Sequence, residues 1–294
     1  MHVDWPNRLP EPGAPRLETY ESSDGYVGYY RHFAAHGTPR GRIVFIHGIQ
    51  SHGGWYPTSS AALAAQGYDV YFLDRRGCGL NTAHRGDAPN FRRLLDDIIE
   101  FLHPLRAIDG LPLFLGAISW GGKLGCALPY RQSKLIDGLI LFAPGLFARV
   151  SPPFLTRIMI GRAALRDPRK MFDVPLSSPA LFTATPERQA FIERDRYSLR
   201  RATGRLLFQS IGLDMYLKRA RKHLHLPILL LLAGQDRVVN NAKVRAYIEG
   251  TPSLDRTIME YPQSHHTLEF EPEPLPFLPD VSQWLTRQMR GGVR

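Results

Sequence analysis

Apolar and polar positions follow two periods along this chain, and together they divide it into strands and helices. Between residues 18 and 34 aromatic and polar residues alternate with a period of two around Asp24-Gly25, which predicts two antiparallel strands joined by a tight turn. Short, nearly unbroken apolar runs predict buried strands at 42–46, 69–73, 112–116, 138–142, 227–232 and 257–261. Between them, amphipathic spacing predicts helices near 56–66, 90–105, from Ser119 to 131, 241–247 and 279–289. Strands that alternate with helices in this way call for an α/β fold: a mostly parallel sheet covered on both faces, with sites at the carboxyl ends of the strands.

One stretch breaks the rhythm. From Pro144 to about Leu224 the pattern is helical and rich in arginine, with prolines at 152, 153, 168, 175, 179 and 186, and no convincing strand. We expect a lid inserted at 145–224 into a core formed by 1–144 and 225–294. Charge separates the same two parts: residues 145–225 hold 16 Lys or Arg against 6 Asp or Glu, while the remainder holds 21 against 21, so the insert carries the whole net charge of +10. Such a block suits an anionic lipid surface, an acidic substrate or simply water. Nucleic acid is not expected, because no zinc-ligand spacing, helix-turn-helix or basic-aromatic surface accompanies it.

Composition adds bounds. With 294 residues, 44% apolar and 22% charged, the chain can bury a large core. Its first ten residues are polar and broken by proline, and its longest apolar run, 226–234, is too short to span a bilayer, so a soluble, cytoplasmic protein without a secretory signal is expected. Cys78 and Cys126 are the only cysteines and suit free thiols in a reducing compartment.

Chemistry enters at Ser119. The run Leu113-Phe-Leu-Gly-Ala-Ile-Ser119 ends in Trp-Gly-Gly, and a sharp strand-to-helix turn at a serine needs small residues two places before and after it, here Ala117 and Gly121. Such a serine can also be an ordinary helix cap. A hydroxyl becomes a nucleophile only when a histidine takes its proton and an acid orients that histidine. Asp236 follows the strand 227–232 in a glycine turn, and His265 and His266 follow the strand 257–261, so the order Ser, Asp, His fits an α/β-hydrolase. Asp236 alone could be a turn residue and either histidine a surface residue; their joint placement favours catalysis. The transition-state oxyanion needs amide donors, and the candidates are Ile49, after Gly48 in the loop following strand 42–46, and Trp120. His47 and His52 lack acidic or cysteine neighbours at ligand spacing, so they are taken as supports of that loop, with no metal and no cofactor.

Three motifs carry a family resemblance. His47-Gly48 with His52 and Tyr56, Asp74-Arg-Arg-Gly-Cys-Gly79, and His266-Thr-Leu-Glu-Phe-Glu271 resemble the oxyanion loop, the turn and the terminal histidine segment of α/β-hydrolases of the monoacylglycerol lipase and lysophospholipase type, grouped with serine aminopeptidase-like hydrolases. The resemblance spans nearly the whole chain, and Phe182-Thr183, Phe191, Asp195 and 201–207 extend it weakly into the insert. It implies a serine ester hydrolase with His266 as base, Glu271 as structural partner and a lipid ester as substrate. It also implies an acyl cleft under the insert, for which Phe147, Phe154, Leu155 and Met159 are the candidate lining, with the arginines facing outward to anionic lipid or solvent. The same machinery serves thioesterases, acyltransferases and amidases, and a receptor that binds without turnover is the remaining alternative. The chain departs from the family at Ala117, Trp120, Cys78 and Leu80-Asn81. Arg75 and Arg76 are expected to be solvated arginines of a structural turn.

Overall fold

The computed structural model describes residues 14–291; the polar, proline-broken stretch 1–10 lies outside them. Strands β1 (Arg16–Glu21) and β2 (Val27–Phe33) form the expected hairpin, closed by Gly25 at a φ of +77° that a side chain would disfavour. There follow β3 (Gly41–Ile46), α1 (Pro57–Ala65), β4 (Tyr68–Leu73), α2 (Phe91–Ala107), β5 (Leu113–Ile118), α3 (Gly121–Arg131) and β6 (Gly138–Phe142). After an excursion the rhythm resumes with β9 (Ile228–Ala233), α7 (Asn241–Glu249), β10 (Arg256–Tyr261) and α8 (Leu278–Gly291). The eight strands lie in the order β1-β2-β4-β3-β5-β6-β9-β10. From β4 to β10 all neighbours are parallel, and only the two pairings of β2 are antiparallel.

The sequence explains this order of burial. Every residue of β3, β5, β6 and β9 is buried, as expected of parallel strands covered on both faces, and Arg42 of β3 is the one charged residue among them. The edge strands β1 and β10 contain no fully buried residue, so the expectation of a buried strand at 257–261 is corrected: with a neighbour on one side only, β10 stays half-exposed. Helix α2 begins where Asn90 accepts a hydrogen bond from the Arg93 amide at 2.9 Å, the capping chemistry its side chain supplies.

The insert between β6 and β9 holds α4 (Phe154–Arg166), β7 (Met171–Asp173), α5 (Pro186–Arg194), β8 (Arg201–Thr203) and α6 (Gly204–Ala220). Here the expectation of no strand is corrected: β7 and β8 pair antiparallel over three residues each. Three residues are too few to display a period, and the ribbon is set from outside, by Thr203 N–H donating to the Gly86 carbonyl at 2.9 Å and by Phe172 packing with Ile160 and Ala163. Among the described residues no helix is long and apolar enough to cross a membrane.

Candidate active site

Ser119 lies between β5 and α3 at a φ of +50°, a strained region for a residue with a side chain. The turn survives because its neighbours leave room. A Cβ on Gly121 would stand 2.6 Å from the His47 carbonyl oxygen, and one on Gly145 would stand 3.0 Å from the Trp120 nitrogen. The family departure at Ala117 has its own accommodation: Gly125, one turn into α3, faces it, and a Cβ there would meet the Ala117 methyl at 2.7 Å. The extra methyl of Ala117 therefore occupies space that Gly125 vacates.

The structure brings together the three residues expected from the sequence. The Ser119 hydroxyl donates to His266 Nε2 at 2.8 Å, and His266 Nδ1 donates to Asp236 Oδ2 at 2.8 Å. Asp236 is itself fixed, because its Oδ1 accepts from the Val238 and Val239 amides at 2.7 and 2.8 Å, leaving Oδ2 for the imidazole. A carboxylate acceptor at Nδ1 selects the tautomer whose Nε2 is free to accept a proton. His265 points elsewhere, with its ring against Glu271 at 3.1 Å. Glu271 thus supports His265 directly, and holds the loop through the His265 amide at 2.6 Å.

The loop after β3 approaches the serine closely. A Cβ on Gly48 would lie 3.0 Å from the Ser119 Cβ, so only glycine keeps that space open. Among the described residues the Ile49 and Trp120 amides donate to no protein acceptor. His47 and His52 support the loop: His47 Nε2 accepts from the Arg75 amide at 2.9 Å, and His52 Nε2 donates to Asp195 Oδ2 at 2.9 Å. Burial, reinforced by the Arg75 charge, pushes the His47 pKa well down and keeps the ring neutral. Asp74 ties this loop to the following turn by accepting from Gly53 N–H at 2.7 Å, Leu80 N–H at 2.8 Å and Arg31 at 3.0 Å.

Two expectations about side-chain placement are corrected. Arg75 and Arg76 are buried, not solvated: Arg76 pairs with Asp97 at 2.7 Å and Asp24 at 2.9 Å, while Arg75 turns into the protein under the loop 47–49. A charge in a turn motif does not reveal which way it faces. Likewise Phe154, Leu155 and Met159 lie on the outer side of α4, 67%, 72% and 50% exposed, and do not line the space beside Ser119. Phe147 is half-buried and packs edge-on against Tyr247. The insert meets that space through residues not assigned to it beforehand, Leu176 and Phe182, which lie opposite Ile49, Trp55 and Ile118. Phe182 stands with its ring edge-on to His266 at 6.0 Å. The space beside Ser119 is partly open and small, about 10 Å³, room for about one water.

Polar ties join the insert to the site. Asp195 accepts from His52, from Trp55 Nε1 at 2.7 Å and from the Ser198 hydroxyl at 2.8 Å. Burial opposes its charge, but these donors hold its pKa well below the ordinary carboxylate range. Leu199 N–H donates to the Gln50 carbonyl at 2.8 Å, Thr267 N–H to the Phe182 carbonyl at 2.9 Å, and Trp120 Nε1 to the Ser210 hydroxyl at 3.0 Å.

Known proteins share this organisation. A putative monoglyceride lipase of Schizosaccharomyces pombe is 29% identical over 270 residues, covering 84% of this chain and 68% of that protein. A monoacylglycerol lipase of Mycolicibacterium smegmatis is 27% identical over 266 residues, covering 85% of this chain and 90% of its own. The solved structure of a soluble variant of Saccharomyces cerevisiae monoglyceride lipase, in complex with a substrate analogue, superposes with a TM-score of 0.81 at 21% identity, covering 96% of this chain and 98% of that one. Residues 37–273 match the family described as serine aminopeptidase, S33, and with the α/β-hydrolase sheet already described, the chain belongs to that family.

Proposed function

We propose that this serine hydrolase of ester bonds cleaves monoacylglycerols or lysophospholipids through an acyl-enzyme on Ser119. The observation that carries the reading is the 2.8 Å contact from Ser119 Oγ to His266 Nε2, with Asp236 behind the ring. Ser119 Oγ attacks the ester carbonyl carbon as its proton passes to His266 Nε2. The carbonyl oxygen, now negative, accepts hydrogen bonds from the Ile49 and Trp120 amides. The imidazolium then gives its proton to the departing alkoxide, and water repeats the sequence on the acyl-enzyme to release the fatty acid. No metal or organic cofactor enters any step.

Residues 145–224 act as a cap in this reading. The space beside Ser119, about 10 Å³, is smaller than an acyl chain, and in this reading it widens on substrate binding by displacement of the insert side chains Leu176 and Phe182. The outer face of the insert offers a reason for such movement. Phe154, Leu155, Ile158 and Met159 of α4 and Phe208, Ile211 and Met215 of α6 are exposed beside Arg157, Arg162 and Arg166. Apolar side chains flanked by cations suit peripheral contact with an anionic lipid surface, where the substrates reside. The free, buried thiols of Cys78 and Cys126 are consistent with a reducing, cytoplasmic setting.

The test is a panel of monoacylglycerols, lysophospholipids, acyl thioesters and aminoacyl amides, with fluorophosphonate labelling of wild type and Ser119→Ala. The expected result is labelling lost in the variant and turnover concentrated on the glycerol esters. Labelling without turnover of any ester would overturn the proposal in favour of a receptor.

A further inference from the structure

Arg75 is a buried cation with an unusual set of partners. The buried arginines Arg31, Arg42 and Arg76 each meet a carboxylate, whereas no carboxylate lies within ion-pair distance of Arg75 among the described residues. Burying a cation in this way is costly unless it finds hydrogen-bond acceptors, and here backbone carbonyls accept from Nε and Nη2. Arg75 Nε donates to the His47 carbonyl at 3.1 Å, and Nη2 donates to the carbonyls of Gly48 at 2.6 Å and Ile49 at 3.3 Å. The guanidinium carbon lies over the Trp120 ring, 4.7 Å from its centroid. One side chain therefore touches both residues whose amides are left without a protein acceptor beside Ser119.

The Gly48 carbonyl is the decisive contact. It belongs to the same peptide unit as the Ile49 N–H, and in a trans peptide the two point in opposite directions. A cation pulling the carbonyl toward Asp74-Arg75 turns the amide toward the serine. His47 pulls on the same oxygen: its Nε2 accepts from the Arg75 amide, so its proton sits on Nδ1, which donates to the Gly48 carbonyl at 2.8 Å. Both donors draw electron density from the carbonyl, which makes the amide a stronger donor, and the positive charge favours an oxyanion forming beyond it.

We propose that Arg75 is a positioning residue of the oxyanion hole, aiming and polarising the Gly48–Ile49 peptide while bracing Trp120. The proposal rests on the triad and oxyanion assignments made above and adds a residue that does not touch the substrate. It makes the amide geometry dependent on a side-chain charge buried beneath the loop.

The experiment compares Arg75→Met, Arg75→Gln and Arg75→Lys with wild type and Ser119→Ala on a chromogenic short-chain ester, with thermal melts to check folding. Affinity for a trifluoromethyl ketone, which forms a tetrahedral adduct on the serine, is measured in parallel. Loss of the aimed donor should lower kcat by about 10²-fold in the Met and Gln variants, with KM changed little and ketone affinity falling along with kcat/KM. Lysine, which keeps a charge against the Gly48 carbonyl, should recover about tenfold of that loss. A folded Met or Gln variant with kcat within about threefold of wild type overturns the proposal, as does a lysine variant no better than methionine. If the Met variant fails to fold, Gln against Lys decides by the same criteria. Retained turnover in Ser119→Ala would instead overturn the triad itself, whatever the Arg75 variants do.

Discussion

The sheet core and the insert contain similar proportions of apolar residue but place them differently. In the core, β3, β5, β6 and β9 bury every side chain, and the carboxylates beside the site, Asp74 and Asp236, are each fixed by several partners. In the insert, Phe182, Ile192, Leu199, Leu206, Leu213 and Leu217 join that core, while Phe154, Leu155 and Met159 of α4 and Phe208, Ile211 and Met215 of α6 face outward, and polar ties centred on Asp195 and the ion pairs Arg205–Asp87 and Lys123–Asp214 add to the attachment. The difference separates two tasks. The close-packed core holds the loops of the site in place, whereas polar ties of the kind found at the insert are ones that water can replace.

The largest effects should fall on the core's chemistry. Ser119→Ala and His266→Ala should each cost on the order of 10⁶ in kcat, while His265→Ala, which removes only a ring set against Glu271, should stay within about tenfold. Steady-state kinetics on one ester checks all three, and a worse loss from His265→Ala would reassign the base.

Next comes the joint between the two regions. Asp195→Ala removes the acceptor of His52, Trp55 and Ser198 at once and should destabilise the folded chain by about 3 kcal/mol, read from urea unfolding. Acid should weaken the same joint. The folded pKa of Asp195 is depressed, so its stabilisation is present above the ordinary value of 3.8 and is lost as pH falls toward the folded value. A variant as stable as wild type would mean that apolar packing, not these ties, holds the insert.

Glu269 tests whether every polar group in the core is as well satisfied. Burial pushes its carboxyl up to about 7, although Ser59 donates to Oε1 at 3.0 Å, and Oε2 has no partner. Because the folded pKa is the raised one, the stability this group contributes is full below 4.5 and is lost as pH rises through about 7. Glu269→Gln should therefore abolish that pH dependence and be more stable than wild type at pH 8 by on the order of 2–3 kcal/mol, measured by urea unfolding from pH 5 to 8.

The smallest stability effect is expected on the outer face. Leu155→Ser removes a side chain that is 72% exposed, so stability should change by less than about 0.5 kcal/mol. Sedimentation with anionic liposomes should nonetheless fall relative to wild type, and unchanged binding would count against lipid contact through α4.

Legibility follows the same division. The strands of the sheet were readable because burial on both faces leaves unbroken apolar runs, and the helices because one buried face leaves a 3.6-residue period. Ser119, Asp236 and His266 were readable because each directly follows a strand, where parallel topology gathers loops at one edge. Leu176 and Phe182 were not, since an apolar residue in an irregular segment carries no mark of what it will face. Phe154, Leu155 and Met159 were placed under the insert because the resemblance implies an acyl cleft there and arginines flank them, a reading that fails where an outer surface is itself apolar.

By itself the sequence determined the α/β alternation, the basic insert and the three residue types of the triad in their order, since these depend on local periodicity and on spacing along the chain. The tertiary structure decided that Arg75 turns inward beneath the Gly48 carbonyl, that Leu176 and Phe182 face the space beside Ser119, and that Asp195 joins the insert to the oxyanion loop. Those are contacts between segments distant in sequence. Their direction is set by which side chains find partners as the core closes, and no local pattern encodes it.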